Sequence, residues 1–164
     1  MEFVELTKEE FQKFSEARED YNIWQSADMA EMRELSGFHS EYVGVKEKHE
    51  IIAGGMLSYR VVMGYRQYYA PRGFLIDFHN QELLTFFLNS LKKYAKKKKS
   101  LSLRFDPYIP YKQRDLDGNL VENGYDNSDV FDTIVGCGYK HHGFTRGIDL
   151  TRECRWMYVI PLEG

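Results

Sequence analysis

Cysteine is scarce in this chain of 164 residues, with only Cys137 and Cys154 present. They make no CxxC pair and no set of four, so neither a disulfide framework nor a zinc site is signalled. Two free thiols fit a reducing cytoplasm. Long apolar runs are missing as well: no stretch approaches the ~20 residues of a membrane-spanning helix. The acidic N-terminus, MEFVELTKEE, lacks the apolar segment of a signal peptide. Nor is positive charge in excess. The formal net charge is −3, which gives no global attraction to nucleic acid or to an acidic membrane. The expectation is a soluble cytoplasmic domain.

What is present suits one folded unit. The hydrophobic fraction of 43% supplies a core and the 29% of charged residues keeps the surface wet, in a length suited to a single domain. Aromatics are abundant, with 12 Tyr and 11 Phe. Most such rings belong in a core or on strands, but tyrosine, apolar with a polar tip, also suits the wall of a cleft.

The pattern along the chain reads as alternating strands and helices. Residues 2–5 alternate weakly as a short strand. Thr7 then opens T-K-E-E, a capping box whose Glu10 reaches back to the cap amide, so 8–18 is a helix. Ser26 is a second N-cap, with Met29, Met32 and Leu35 at helical steps before Gly37. Strands follow at 39–46, 50–63 and 65–70, the first two joined by the polar turn at 46–49. Gly54-Gly55 inside the second of them marks a bulge or a close backbone approach. The strongest helix covers 81–97, capped by Asn80, with Leu83, Leu84, Phe87, Leu88, Leu91, Tyr94 and Ala95 in one stripe. A short buried strand at 100–105, a polar loop at 111–128, a helix at 129–135, and strands at 139–148 and 153–162 complete the list.

This order predicts an α/β fold with helices on both faces of a mixed, mostly antiparallel sheet. It is the element order of the acyl-CoA N-acyltransferase-like fold known as GNAT. Enzymes of that fold hold pyrophosphate with main-chain amides of a glycine-rich turn opening the main helix. The equivalent stretch here, Pro71 to Gln81, has Gly73 alone, followed by Phe74, Leu75 and Ile76. Acetyl-CoA is therefore not the expected donor.

Five segments carry a more specific likeness. NIWQSADMAEMR (22–33), YYAPRGF (68–74), RFDPYIP (104–110), GYKHHGFTRGID (138–149) and RWMYVIPLEG (155–164) stand in this order along the chain. Together they resemble the signature stretches of the FemABX aminoacyltransferases, which build peptidoglycan cross-bridges in Gram-positive bacteria. The resemblance implies a transferase that uses aminoacyl-tRNA as donor substrate, with no separate cofactor and no metal. The implied acceptor is the side-chain amine of the third stem-peptide residue in a nucleotide-linked or lipid-linked muramyl pentapeptide. Peripheral contact with the inner membrane face is compatible with that acceptor. Family members have two GNAT-like domains, so residues 1–164 look like the N-terminal one of a longer protein, and the fragment alone is expected to be inactive.

The resemblance also nominates residues. Arg33 falls where the family has a lysine that contacts the precursor's diphosphate; its alternative is an ordinary solvated arginine. Arg72, in the Pro-Arg-Gly turn, is either a phosphate ligand at the edge of a cleft or half of a structural ion pair, and Tyr69 stands beside it. Pro71 fixes its own φ and Gly73 allows a positive one, which predicts a sharp bend. Asp106 matches the family aspartate assigned as the catalytic base. A free carboxylate is a weak base for an ammonium unless burial raises its pKa, so an orienting role is favoured, against the alternative of a turn aspartate before proline. His141 and His142 point to opposite faces of a predicted strand and make a poor metal pair. The Lys96–Lys99 run is either a contact for tRNA phosphates or a solvated helix end.

Overall fold

The computed structural model describes residues 1–143. The elements run β1 (Glu2–Leu6), α1 (Lys8–Glu16), a 3-10 turn (Ile23–Gln25), α2 (Ala27–Leu35), β2 (His39–Glu47), β3 (Glu50–Val62), β4 (Tyr65–Arg72), α3 (Gln81–Lys97), β5 (Ser100–Pro107) and α4 (Ser128–Gly136). The strands expected over 139–148 and 153–162 lie outside the described residues, apart from 139–143, which take no regular structure.

Helix starts follow from side chains that satisfy orphan amides. Thr7 and Glu10 form the reciprocal capping box, at 3.1 and 2.9 Å. Ser26 Oγ accepts from the Met29 amide at 3.0 Å, and Asn80 Oδ1 from that of Leu83 at 3.0 Å. Both hairpins turn on two residues in the left-handed region, Lys48 and His49 at φ 47° and 73°, then Met63 and Gly64 at φ 53° and 81°. That geometry matches the twist of paired strands.

The strands lie in sequence order, β1-β2-β3-β4-β5. The first three pairings are antiparallel, and β4–β5 is parallel because α3 crosses between them. Strand alternation separates two cores. Val43, Val45, Leu57, Tyr68 and Ala70 face α3, whose stripe from Leu83 to Ala95 is buried as the sequence pattern requires. Met56 faces the other way, into a cluster with Phe11 of α1 and Met29 and Ala30 of α2.

Two local expectations change. Gly54-Gly55 is a close approach, not a bulge. A Cβ on Gly54 would lie 2.9 Å from the Phe14 ring, and one on Gly55 would lie 2.3 Å from the Phe74 ring. The register shift sits elsewhere, where Val45 pairs Ala53 and Lys46 pairs Ile51. The strand at 100–105 is not fully buried either: Leu101 and Ser102 are exposed, while Leu103 and Phe105 pack against the α3 core.

Candidate functional site

The segment YYAPRGF is placed by a residue outside it. Gln25 is fully buried. Its amide nitrogen donates to Pro71 O at 2.8 Å and to Met56 O at 3.3 Å, while its Oε1 accepts from the Met56 amide at 2.8 Å. The β3–β4 ladder runs from Val62↔Tyr65 to Ser58↔Tyr69 and goes no further. Gln25 therefore spans the place where the strands part, satisfying groups that the ladder no longer reaches.

Beyond Pro71 the chain bends, but not as expected. Arg72, not Gly73, takes the left-handed conformation, at φ 49°. Gly73 sits in a tight place, since a Cβ there would lie 3.1 Å from Ala70 Cβ and 3.2 Å from Gln25 Nε2. The Gly73–Phe74 peptide is cis. Phe74 then packs into the core against Phe87 and Phe105, with ring centroids at 4.8 and 5.3 Å.

Asp106 is what the bend is aimed at. β4 and β5 pair in register here, Pro71 beside Asp106 and Arg72 beside Pro107. The Arg72 amide donates to Asp106 Oδ1 at 3.1 Å, and its guanidinium stands 3.9 Å from Oδ2. The Tyr69 hydroxyl is near enough to this carboxyl to favour its charged form. Burial pushes the Asp106 carboxyl above the usual carboxylate range, and the Arg72 amide, Tyr69 and the Arg72 charge pull it back only in part. The condition for a more basic aspartate is met in direction.

Tyr69 joins this pair to the other nominated arginine. Its ring lies 5.6 Å from the Arg33 guanidinium of α2 and 5.3 Å from that of Arg104 on β5. Arg33 and Arg60 both lie on the Phe38 ring, at 4.5 and 3.8 Å. All four nominated residues, Arg33, Tyr69, Arg72 and Asp106, are thus brought together where β4 and β5 end. Arg104 and Gln25 belong to the same region and were not nominated. Arg104 was findable, since i and i+2 on a strand share a face with Asp106. The partners of Gln25, 31 and 46 residues away, had no local signal.

Arg72 has a carboxylate beside it and a place on a cleft. Its side chain is only 11% exposed and pairs with Asp106, and it also lines a cleft of about 320 Å³. Glu19, Asp20, Tyr21 and Asn22 line the same cleft, and the Tyr108 ring stands 5.7 Å from the Arg72 guanidinium.

The start of α3 is capped from within the chain. Asp77 takes the His79 amide through Oδ1 at 3.0 Å and the Asn80 amide through its carbonyl at 3.2 Å. Asn80 takes those of Leu83 and Leu84. The His79, Asn80 and Leu83 amides are thus taken by groups of the chain itself. Among the described residues no three His, Cys, Asp or Glu side chains converge as a metal site, and no helix is long and apolar enough to cross a membrane. Lys96–Lys99 stand at the opposite end of β5 from Asp106, about 20 Å away by strand rise.

An antiparallel meander closed by one parallel strand, with helix pairs on both faces, is the GNAT-like acyltransferase architecture. A probable acetyltransferase shares it with a TM-score of 0.53 over 92% of this chain and 97% of that one, at 13% identity, which is a likeness of fold alone. The crystal structure of FemX matches with a TM-score of 0.71 and 26% identity, over 92% of this chain and 35% of that one. The chain belongs to the FemAB family, whose model matches residues 6–164. The aminoacyltransferase FemA of Staphylococcus epidermidis is 37% identical over 167 residues, and that of Staphylococcus aureus strain bovine RF122 is 35% identical over 165. These alignments take in 100% and 99% of this chain but 40% and 39% of the relatives, so the chain spans about two fifths of their length.

Proposed function

We propose that this chain forms the acceptor-binding part of a peptidoglycan cross-bridge aminoacyltransferase. The acceptor is the stem-peptide amine of a muramyl pentapeptide precursor, the donor an aminoacyl-tRNA, and the setting the cytoplasm. The observation that carries this reading is the gathering of Arg33, Tyr69, Arg72 and Asp106 at the ends of β4 and β5 in a FemAB-family chain. Arg33 and Arg72 supply cationic groups for the precursor's phosphates, in the bidentate geometry open to guanidinium. Tyr69 positions both halves of the site. Asp106 pairs with the acceptor ammonium and, with its raised proton affinity, takes one proton from it. The freed amine attacks the ester carbonyl, the ester C–O bond to the tRNA ribose breaks, and the proton lost by the attacking nitrogen passes to the leaving ribose oxygen. Because the ester is already activated, positioning supplies much of the rate.

The same reading takes residues 1–164 as the N-terminal unit of a two-domain enzyme, the second domain completing the site for turnover. The stretch from Pro71 to Gln81, with Gly73 alone followed by Phe74, Leu75 and Ile76, argues against acetyl-CoA as donor. Calorimetric titration with nucleotide-linked muramyl pentapeptide, with acetyl-CoA as control, tests the assignment. Saturable binding of the precursor alone is expected; binding of acetyl-CoA without the precursor would overturn it.

A further inference from the structure

The β3–β4 hairpin ends in an apolar tip that the cleft does not use. Val61, Val62, Met63 and Tyr65 are all exposed, Met63 to 93%. Val61 pairs with Arg66 and Val62 with Tyr65, so by alternation Val61 and Val62 lie on opposite faces of the ribbon. Apolar side chains therefore project from both faces and from the apex. Met63 also sits at φ 53°, where asparagine, aspartate or glycine is the favoured residue of such a turn. The sequence accepts a poor turn former and an exposed thioether at one position.

Positive charge flanks the tip. The Arg66 amide donates to Lys99 O at 3.1 Å, which brings the end of the lysine run to the base of the hairpin. Lys96, Lys97 and Lys99 are exposed. Glu5 and Glu41, at this same end of the sheet, are engaged by Lys98 and Arg66. Apolar groups on both faces of a ribbon fit a medium that surrounds it, not a groove that covers one side.

We propose that the hairpin tip and Lys96, Lys97 and Lys99 form a docking surface for an anionic lipid bilayer, the apolar tip entering among the acyl chains and the lysines resting on the headgroups. Seven residue steps of β4 separate Tyr65 from Arg72. Docking thus holds the cleft within about 23 Å of the tip. The surface stands on its own observations and does not require the transferase reading.

Flotation with phosphatidylcholine vesicles, with and without phosphatidylglycerol, tests this on the whole chain. Binding to the anionic vesicles, weakened by salt, is expected. Replacing Lys96, Lys97 and Lys99 together by alanine should lower the partition about a hundredfold, at about fivefold per lysine. Met63→Asn should lower it about tenfold while keeping or raising the melting temperature, because asparagine suits the left-handed turn. No flotation with either vesicle would overturn the proposal, as would flotation indifferent to both sets of changes. A concentration-dependent dimer abolished by Met63→Asn, without vesicle binding, would assign the tip to a second copy. Loss of tRNA retention in the lysine variant, with flotation unchanged, would assign the lysines to RNA.

Discussion

Asp106→Asn separates a working carboxylate from a structural one. The substitution keeps an acceptor for the Arg72 amide at 3.1 Å and removes one negative charge. The lost pairing is partly exposed and long, at 3.9 Å with Asp106 31% exposed, so it is worth about 0–1 kcal/mol. Against it stands the burial that holds the carboxyl above its usual range, a cost that asparagine does not bear. The net change in stability should stay within about 1 kcal/mol, or about 2–4 °C in a domain of this size. The sign follows from linkage. With the folded pKa above the unfolded one, Asp106 favours the folded state fully below the unfolded pKa, and that advantage is lost as pH rises through the folded pKa. Wild type should therefore gain on the variant as pH falls from neutral through the carboxylate range. Binding should move the other way. A charge-assisted contact to the acceptor ammonium is worth about 1.5–3 kcal/mol, so precursor affinity should drop about 10- to 150-fold at neutral pH. In wild type it should also weaken on acidification, as Asp106 gains its proton. Thermal melts from pH 4 to 8 and calorimetry with the nucleotide-linked precursor measure both arms. A variant that melts more than about 4 °C lower yet binds normally would make Asp106 a structural clamp and refute the reasoning.

Arg72→Gly should relieve a left-handed non-glycine residue, worth about 1 kcal/mol, and so melt near or above wild type while losing precursor affinity; an early-melting protein with intact affinity would make Arg72 structural. Arg33→Ala should weaken precursor binding in calorimetry with little change in melting, although its contact with Phe38 at 4.5 Å is lost. Gln25→Leu removes the partners of the Met56 amide, Met56 O and Pro71 O. At about 1–3 kcal/mol for each buried group left unsatisfied, it should destabilise by several kcal/mol in urea titration; a loss below about 1 kcal/mol would mean that water replaces the amide. Glu41 is pushed up by burial but pulled further down by Tyr68, Tyr94 and Arg66, so its carboxyl ends below the usual range. Its stabilisation is present above the unfolded pKa and lost as pH falls through the folded one, and Glu41→Gln should flatten that acid limb in pH-dependent melts.

How much of this was legible depends on the range of each interaction. The caps at Thr7, Ser26 and Asn80 and the stripe of α3 act over three or four residues, and each could be read before any coordinates. The glycine pair in β3 was legible only as a choice. Which alternative holds depends on Phe14 and Phe74, placed by α1 and by the bend after β4. The positive φ was expected at Gly73 because glycine bears it at least cost. The chain puts it on Arg72, with the Arg72 amide held on Asp106 and Gly73 confined between Ala70 and Gln25.

The site shows the same divide. The nominated residues came from local motifs, and the fold gathers them because parallel pairing sets Pro71 beside Asp106 while α2 lays Arg33 over Tyr69. What the motifs did not contain is the mechanism of gathering. The β3–β4 ladder stops at Ser58 and Tyr69, and the backbone groups past that point would otherwise be unsatisfied. One buried amide fills that gap and fixes the height at which Arg72 leaves the strand. Gln25 is in this sense a positioning residue for Arg72. Gln25→Glu would sharpen the test, since its carboxylate retains an acceptor for the Met56 amide but has no donor for Pro71 O. Loss of precursor affinity beyond what its loss of stability explains is the outcome that this account of the bend requires.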